Sequence, residues 1–285
     1  GIRTMTENIV AVENLGVKIG KKTILNDVHL ELKKGEAVVI AGRNGSGKTT
    51  FLKCLADVIY PDEGHIHYSS NVSREKIGFI SDQVSLLENY SLKRGIDFHK
   101  DVYSIKDFDD TLLKELNLDL NQKIKNLSAG ERILFHLSLI LAQKPEILLV
   151  DEIIHAIDPY LREQFLEAII DLLEDNQTTL IMINHTFSEI EKIPERVLIM
   201  EKGQFIVDEK SETLGKRLKK VVSESEISEE IPCIFKRELT QLKEYFIYPF
   251  DENLKDKFSF DFKDANLNEI IKAFIGGQYV KERNQ

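Results

Sequence analysis

Gly42-Arg43-Asn44-Gly45-Ser46-Gly47-Lys48-Thr49-Thr50 follows the apolar run Ala37-Val38-Val39-Ile40-Ala41 and precedes the helix-prone Phe51-Leu52-Lys53-Cys54-Leu55-Ala56. Strand, glycine loop and helix in that order are the context that a G-x-x-x-x-G-K-[ST] pattern requires. The glycines let the backbone wrap phosphate oxygens in conformations that a Cβ would obstruct. Amides at the start of the next helix then point at the anion, helped by the helix dipole. Gly42, Asn44, Gly45, Ser46 and Gly47 form the cradle, and Lys48 is expected to reach the β- and γ-phosphates. Thr49 is expected to ligate Mg2+, and Thr50 is placed for the α-phosphate. A glycine turn with a chance lysine would not need both flanking elements. The stretch reads as a nucleotide-phosphate site.

With 285 residues, the chain is long for one compact core and short for two large ones. One nucleotide-binding domain with an appended module is the natural partition. Hydrophobic residues make up 42% and charged residues 30%, which describes an ordinary folded protein rather than a disordered one. A net charge of −10 argues against broad non-specific nucleic-acid binding, and no nucleic-acid partner is expected. Cys54 and Cys233 lie far apart and form no metal or disulfide pattern, which fits a reducing compartment. Cys54 reads as core packing. No apolar run approaches the ~20 residues needed to span a bilayer, and no secretory h-region is visible. Residues 1–4, ahead of Met5, are read as a non-native remnant and left out of fold reasoning. Any membrane role is therefore expected to come through a partner.

Around the loop the periodicities alternate. Residues 8–13 and 15–19 read as a β pair, followed by an alternating strand over residues 24–32. Tyr60-Pro61-Asp62-Glu63-Gly64 is a turn into a short strand at His65-Ile66-His67-Tyr68, whose histidines suit a metal pair or, without a third ligand, a solvated face. Ile77-Gly78-Phe79-Ile80 is a buried strand. From about residue 85 to 145 apolar positions recur at three-to-four spacing, which predicts an inserted helical subdomain. Ile147-Leu148-Leu149-Val150-Asp151 returns to the continuous apolar run of a doubly buried parallel strand. Asp158-Pro159 supplies a cap and an N1 proline for a helix lined by Leu161, Phe165, Ile169 and Leu172. A further buried strand covers residues 179–184 and ends at His185, and residues 197–207 close as a hairpin. These elements predict an α/β domain.

Adjacent acids at the end of a second strand are what phosphate-loop chemistry needs. Asp151 is placed to hold Mg2+, and Glu152, facing differently, to polarise an attacking water. His185 ends a third strand, from which a side chain can reach the γ-phosphate. A lone histidine there is more often a satisfied surface residue, so its weight comes from its company.

Gly42 to Thr50, Leu127-Ser128-Ala129-Gly130-Glu131, Ile147 to Glu152, His155-Ala156-Ile157-Asp158 and His185 occur in the order and spacing of the ABC-type ATPases. The resemblance covers roughly residues 8 to 210. It implies a P-loop NTPase cassette with a RecA-like core, an antiparallel β subdomain and the inserted helical subdomain. It also implies ATP and Mg2+ as ligands, and a second cassette, identical or not, facing the first head to tail. Ser128, Ala129 and Gly130 would contact the γ-phosphate across that interface. Asp158 resembles the loop aspartate that senses the opposite site, beside its plainer role as helix N-cap. Several positions depart from the family pattern. Ile19 stands where an aromatic residue usually stacks on adenine. The glutamine that links Mg2+ to the helical subdomain is Gln83 by chemistry, whereas Asp82 fits the spacing. Ile153 replaces a proline after Glu152, and Ala129 replaces a glycine. Lys48, Asp151, Glu152 and His185 are all present, so hydrolysis is expected.

Past residue 210 the pattern changes. Thr213 to Lys220 is a basic stretch that suits anionic lipid or, given the acids that follow, a solvated helix face. Polar residues 223–230 read as a linker. Beyond it stand a possible strand at Cys233-Ile234-Phe235, an amphipathic stretch from Leu239 to Phe246 and alternating Phe258, Phe260 and Phe262. Leu267, Ile270, Ile271, Phe274 and Ile275 at helical spacing are stopped by Gly276-Gly277. The expected partition is a cassette over 5–222 and a small C-terminal α+β accessory domain over 223–285. The closing Asn266-Leu267-Asn268-Glu269-Ile270-Ile271 resembles the terminal segment of ATP-binding subunits in ABC-2 type exporters. That resemblance implies an exporter subunit on the inner, cytoplasmic face of the membrane, bound to integral transmembrane subunits. A soluble ABC ATPase, such as one serving iron–sulfur assembly, is the alternative.

Overall fold

The computed structural model describes residues 8–70, 72–81, 87–152, 157–184 and 193–277. In chain order the elements are β1 (Asn8–Ile19), β2 (Lys22–Lys33), β3 (Ala37–Ala41), α1 (Lys48–Leu55), β4 (Glu63–Tyr68), β5 (Ile77–Ile80) and α2 (Leu92–Tyr103). Next come α3 (Thr111–Glu115), α4 (Ala129–Ala142), β6 (Ile147–Val150), α5 (Pro159–Leu173), β7 (Thr179–Ile183), β8 (Arg196–Glu201) and β9 (Gln204–Lys210). The chain closes with α6 (Ser211–Arg217), β10 (Lys219–Ser223), β11 (Cys233–Glu238), β12 (Lys243–Ile247), α7 (Asn253–Lys257), β13 (Lys263–Asp264) and α8 (Leu267–Gly276). It forms two units: one takes the described residues up to Ala37 and from Thr49 to Asn184, the other residues 38–48 and those after Asn184.

In the first unit an antiparallel sheet runs β2-β1-β4. The expected β pair over 8–13 and 15–19 is instead one continuous strand, β1, whose partner is β2, from Ile19↔Lys22 to Asn8↔Lys33. The interruption that suggested a turn is a bulge: Asn14 has φ 50°, and register shifts surround it between Val12 and Leu15. An extra residue bends a strand without ending its ladder. His65 and His67 lie on β4 opposite Glu13 and Ala11. Both histidines are exposed on that strand, the solvated face.

The same unit carries a parallel ladder, β5 to β6 to β7, with Ile77 opposite Ile147 and Ile147 opposite Thr179. Every residue of β6 and β7 is buried, as strands covered on both faces must be. The helical stretch expected over 85–145 is α2, α3 and α4. It has its own core of Leu92, Ile96, Leu113, Ile124, Leu127, Phe135 and Leu139. Asp158 caps α5 by accepting from the Tyr160 and Leu161 amides at 3.1 Å each, with Pro159 as first helical residue. Leu161, Phe165 and Ile169 bury the inner face of that helix, as its spacing predicts.

In the second unit β3 pairs in parallel with β8, and β8 pairs antiparallel with β9. After α6 the chain builds a four-stranded antiparallel sheet of order β11-β12-β10-β13. Its core joins Val221, Ile231, Tyr245, Ile247, Phe250 and Phe262. Residues 219–222, placed ahead of the 222/223 boundary by sequence, thus belong to β10 of this sheet. The stretch that reads as a linker is tied down as well. Glu226 accepts from Lys236 Nζ at 2.5 Å, Lys243 Nζ at 2.7 Å and the Tyr245 hydroxyl at 3.1 Å. Those three donors hold its carboxyl down to about 2. Polar composition suggested a solvated linker, but Glu226 has basic partners on β11 and β12 and Glu230 has one on α7. Within the basic stretch, Leu214 is buried on α6 and Lys216 pairs with Glu212 at 3.2 Å, so that helix turns a solvated face outward. Helix α8 buries Leu267, Ile270, Ile271, Ala273 and Phe274. No helix among the described residues is long and apolar enough to cross a membrane.

Candidate nucleotide site

All five residues of β3 are buried, and the chain leaves that strand into the glycine loop. Ser46 N donates to Arg43 O at 3.1 Å, closing a turn, and Gly203 N at the β8–β9 turn donates to Ser46 O at 2.8 Å. Gly42 cannot be replaced without displacement: a Cβ there would lie 2.3 Å from Met200 O and 2.8 Å from Ser46 Oγ. Gly45 and Gly47 have φ of 82° and 107°, the left-handed region that glycine enters freely. Arg43, Asn44 and Gly45 are exposed, whereas Ser46, Gly47 and Lys48 are buried.

Two observations mark this cradle as a place for an anion. Ser46 Oγ is buried without a hydrogen-bond partner among the described residues. Such a group costs free energy unless something bonds to it. Lys48 is only 4% exposed and donates from Nζ to Gly42 O. A buried ammonium is stabilised by anionic partners, so a phosphate oxygen entering the loop is a favourable acceptor for it. Lys48 is also the first residue of the eight-residue α1, whose leading amides lack intrahelical acceptors. Cys54, on the same helix, is buried, and burial followed by the charge of Asp62 pushes its thiol up to about 11. It is the inert packing residue expected.

In the first unit Thr49 Oγ1 donates to Asp151 Oδ1 at 3.5 Å. The Asp151 amide donates to Ile80 O at 2.8 Å, which fixes the strand end on which the carboxylate stands. A hydroxyl and a carboxylate oxygen this close form a hard-donor pair of the kind Mg2+ takes beside phosphate oxygens. Glu152 follows at the same strand end and is half-buried.

Ser128 accepts from Glu131 N at 3.1 Å and Glu131 Oε1 accepts from Ser128 N at 2.9 Å. This capping box starts α4, and Ser128 and Ala129 are exposed in front of it. Gly130 is buried, and a Cβ on it would fall 2.8 Å from Leu161 Cδ1 and 3.3 Å from Ile157 Cγ2. The Ser128–Gly130 turn therefore sits directly on the start of α5, beside the Asp158 cap. So the structure brings Thr49 to Asp151, and Ser128–Gly130 to the Asp158 loop. Ile19 is 60% exposed, an aliphatic surface. Asp82, Gln83 and His185 lie outside the described residues. Sequence reasoning passed over Arg43, whose side chain donates to Ile275 O. No local pattern points to a partner 232 residues away.

Residues 25–155 match the family model described as ABC transporter. The methionine import ATP-binding protein MetN of Campylobacter jejuni is 26% identical over 276 residues, covering 82% of each chain. The linearmycin resistance ATP-binding protein LnrL of Bacillus subtilis is 28% identical over 212 residues, covering 70% of this chain and 68% of that one. A solved dimeric ATP-binding cassette, in a post-hydrolysis state with ADP and Pi, superposes with a TM-score of 0.60 at 24% identity. The match covers 70% of this chain and 98% of the other. Over these residues the chain resembles the ABC-type ATPases. As an ABC cassette it has the expected α/β class: antiparallel sheet, helical insertion and parallel strands, with the C-terminal sheet added.

Proposed function

We propose that this ABC cassette is the ATP-hydrolysing subunit of a membrane exporter. It would act as one of a pair of cassettes, homo- or heterodimeric, on the inner face of the membrane beneath integral transmembrane subunits. The observation that supports the ATP-site reading is the loop's buried end, with its orphaned Ser46 hydroxyl and its Lys48 ammonium donating to the Gly42 carbonyl. Lys48, the loop amides and Thr50 bind the phosphates. Thr49 and Asp151 would hold Mg2+, with Gln83 or Asp82 completing the set, and the ion would neutralise charge on the β- and γ-phosphates. Glu152 accepts the proton of the attacking water, and His185 orients the γ-phosphate. Ile19 offers adenine an aliphatic surface, which discriminates bases weakly. Ser128, Ala129 and Gly130 of the second cassette reach the γ-phosphate, and Asp158 senses the opposite site. Hydrolysis removes the group that bridges the two surfaces and releases them.

The transmembrane partner fits a groove of about 180 Å³ on the helical insertion, lined by Leu87, Phe98, His99, Val102 and Tyr103. Phe98 and Val102 are 49% and 53% exposed there. A partner segment would bury such an apolar surface. Export is supported by the resemblance of residues 266–271 and by the resistance relative; the import relatives, MetN among them and more numerous, favour the opposite direction. The accessory module is assigned to residues 223–285 together with β10.

Glu152→Gln tests the mechanism. With ATP and Mg2+ it is expected to accumulate as a dimer in size-exclusion chromatography and to release no phosphate. A variant that stays monomeric at saturating nucleotide would overturn the paired-cassette reading. Detergent co-purification is expected to bring down a membrane subunit, and its absence would favour the soluble alternative. ATP-driven uptake into inside-out vesicles is the expected sign of export; efflux from them would reverse the direction.

A further inference from the structure

Arg43 sits at the mouth of the phosphate loop, one residue after Gly42, yet its side chain leaves the loop. Nε and Nη2 both donate to the backbone carbonyl of Ile275, at 3.0 and 2.5 Å. Ile275 lies in the last turn of α8, where carbonyls lack intrahelical donors and carry the negative end of the helix dipole. A guanidinium giving two N–H groups to such an oxygen makes a charge-assisted contact. The end of α8 is itself fixed. Gly277 N donates to Ala273 O at 3.0 Å, and a Cβ on Gly277 would stand 2.1 Å from Ile234 O. The helix end therefore lies against β11. At the other end of the contact, the Arg43 carbonyl accepts from Ser46 N, the turn that places the orphaned Ser46 hydroxyl. A shift of the Arg43 backbone would carry this turn with it.

We propose that Arg43 is a positioning residue that couples the end of α8 to the phosphate loop, so that the C-terminal sheet and α8 regulate nucleotide affinity. The inference rests on reading residues 42–50 as the ATP phosphate loop. Because coupling free energies are reciprocal, whatever loosens α8 weakens ATP binding, and ATP binding in turn steadies α8. The basic side chain at a loop position of free choice is then explained by its distant acceptor.

The test measures ATP affinity by calorimetry and amide exchange over residues 267–277, with and without ATP, in the full chain. Arg43→Ala is expected to weaken ATP roughly fivefold and to abolish the nucleotide-dependent protection of α8. Arg43→Lys, which keeps the charge but not the paired donors, falls between. Gly277→Ala, which pushes the helix end off Ile234 O, is expected to reproduce the affinity loss. Combined with Arg43→Ala it should add nothing further. An Arg43→Ala protein with wild-type affinity and unchanged ATP-dependent protection of α8 would overturn the coupling, even if its stability fell. Lys48→Ala separates the two claims: if the wild type binds no ATP, or binds it equally well without Lys48, the nucleotide reading fails and the coupling fails with it.

Discussion

Lys48 and Gly42 show how a residue acts through what surrounds it. Lys48 holds a carbonyl in a buried site, so an arriving phosphate exchanges one acceptor for a charged one without having to desolvate the ammonium anew. Gly42 is confined between Met200 O and Ser46 Oγ. Gly42→Ala must therefore shift the loop, and it is expected to lower ATP affinity by at least about tenfold, with a stability loss of roughly 1–3 kcal/mol. Titration calorimetry and chemical denaturation check the two separately. Lys48, Thr49 and Asp151 were legible in the sequence because each stands at a fixed offset within a strand-loop or strand-end pattern. Arg43 was not, since its acceptor is a main-chain carbonyl supplied by a distant helix, and carbonyls leave no trace in sequence.

Among elements, α4 was the most legible. Ser128 and Glu131 predict a capped start, and the buried face of Ile133, Leu134, Phe135, Leu137 and Leu139 follows. His136 on that helix has its pKa lowered from 6.5 to about 4, by burial first and by His99 second. The folded protein thus leaves His136 neutral where the unfolded chain takes up a proton. Stability from this residue is present above about pH 6.5 and drains away as pH falls toward 4. Denaturant midpoints across that window are expected to fall more steeply for the wild type than for His136→Gln, which cannot titrate. β1 was the least legible element. A turn-like Asn14 inside a strand looks the same in sequence whether the chain reverses or bulges, and only the β2 partner decides.

At the scale of the whole molecule, the cassette was readable because its motifs are anchored to elements that alternate in period. The C-terminal sheet was only half readable. Its apolar positions predicted an α+β unit, but β10 follows α6 directly and β13 is two residues long, too short to leave a pattern. If the loop binds ATP as proposed, ligand and fold are linked. Nucleotide at about a hundred times its Kd adds about 2.7 kcal/mol to stability, visible as a rise in Tm. Lys48→Ala is expected to erase that rise, and a variant that keeps it would place the ligand elsewhere.

The two thiols carry a practical consequence. Cys54 is buried on α1 as a protonated thiol, while Cys233 is exposed at the first position of β11. Burial also raises the Cys233 thiol, but it is the accessible one of the two, so alkylation at alkaline pH is expected there rather than at Cys54. Cys233 lies on the strand beside which α8 ends, and a fluorophore placed there would watch that helix without any engineered cysteine.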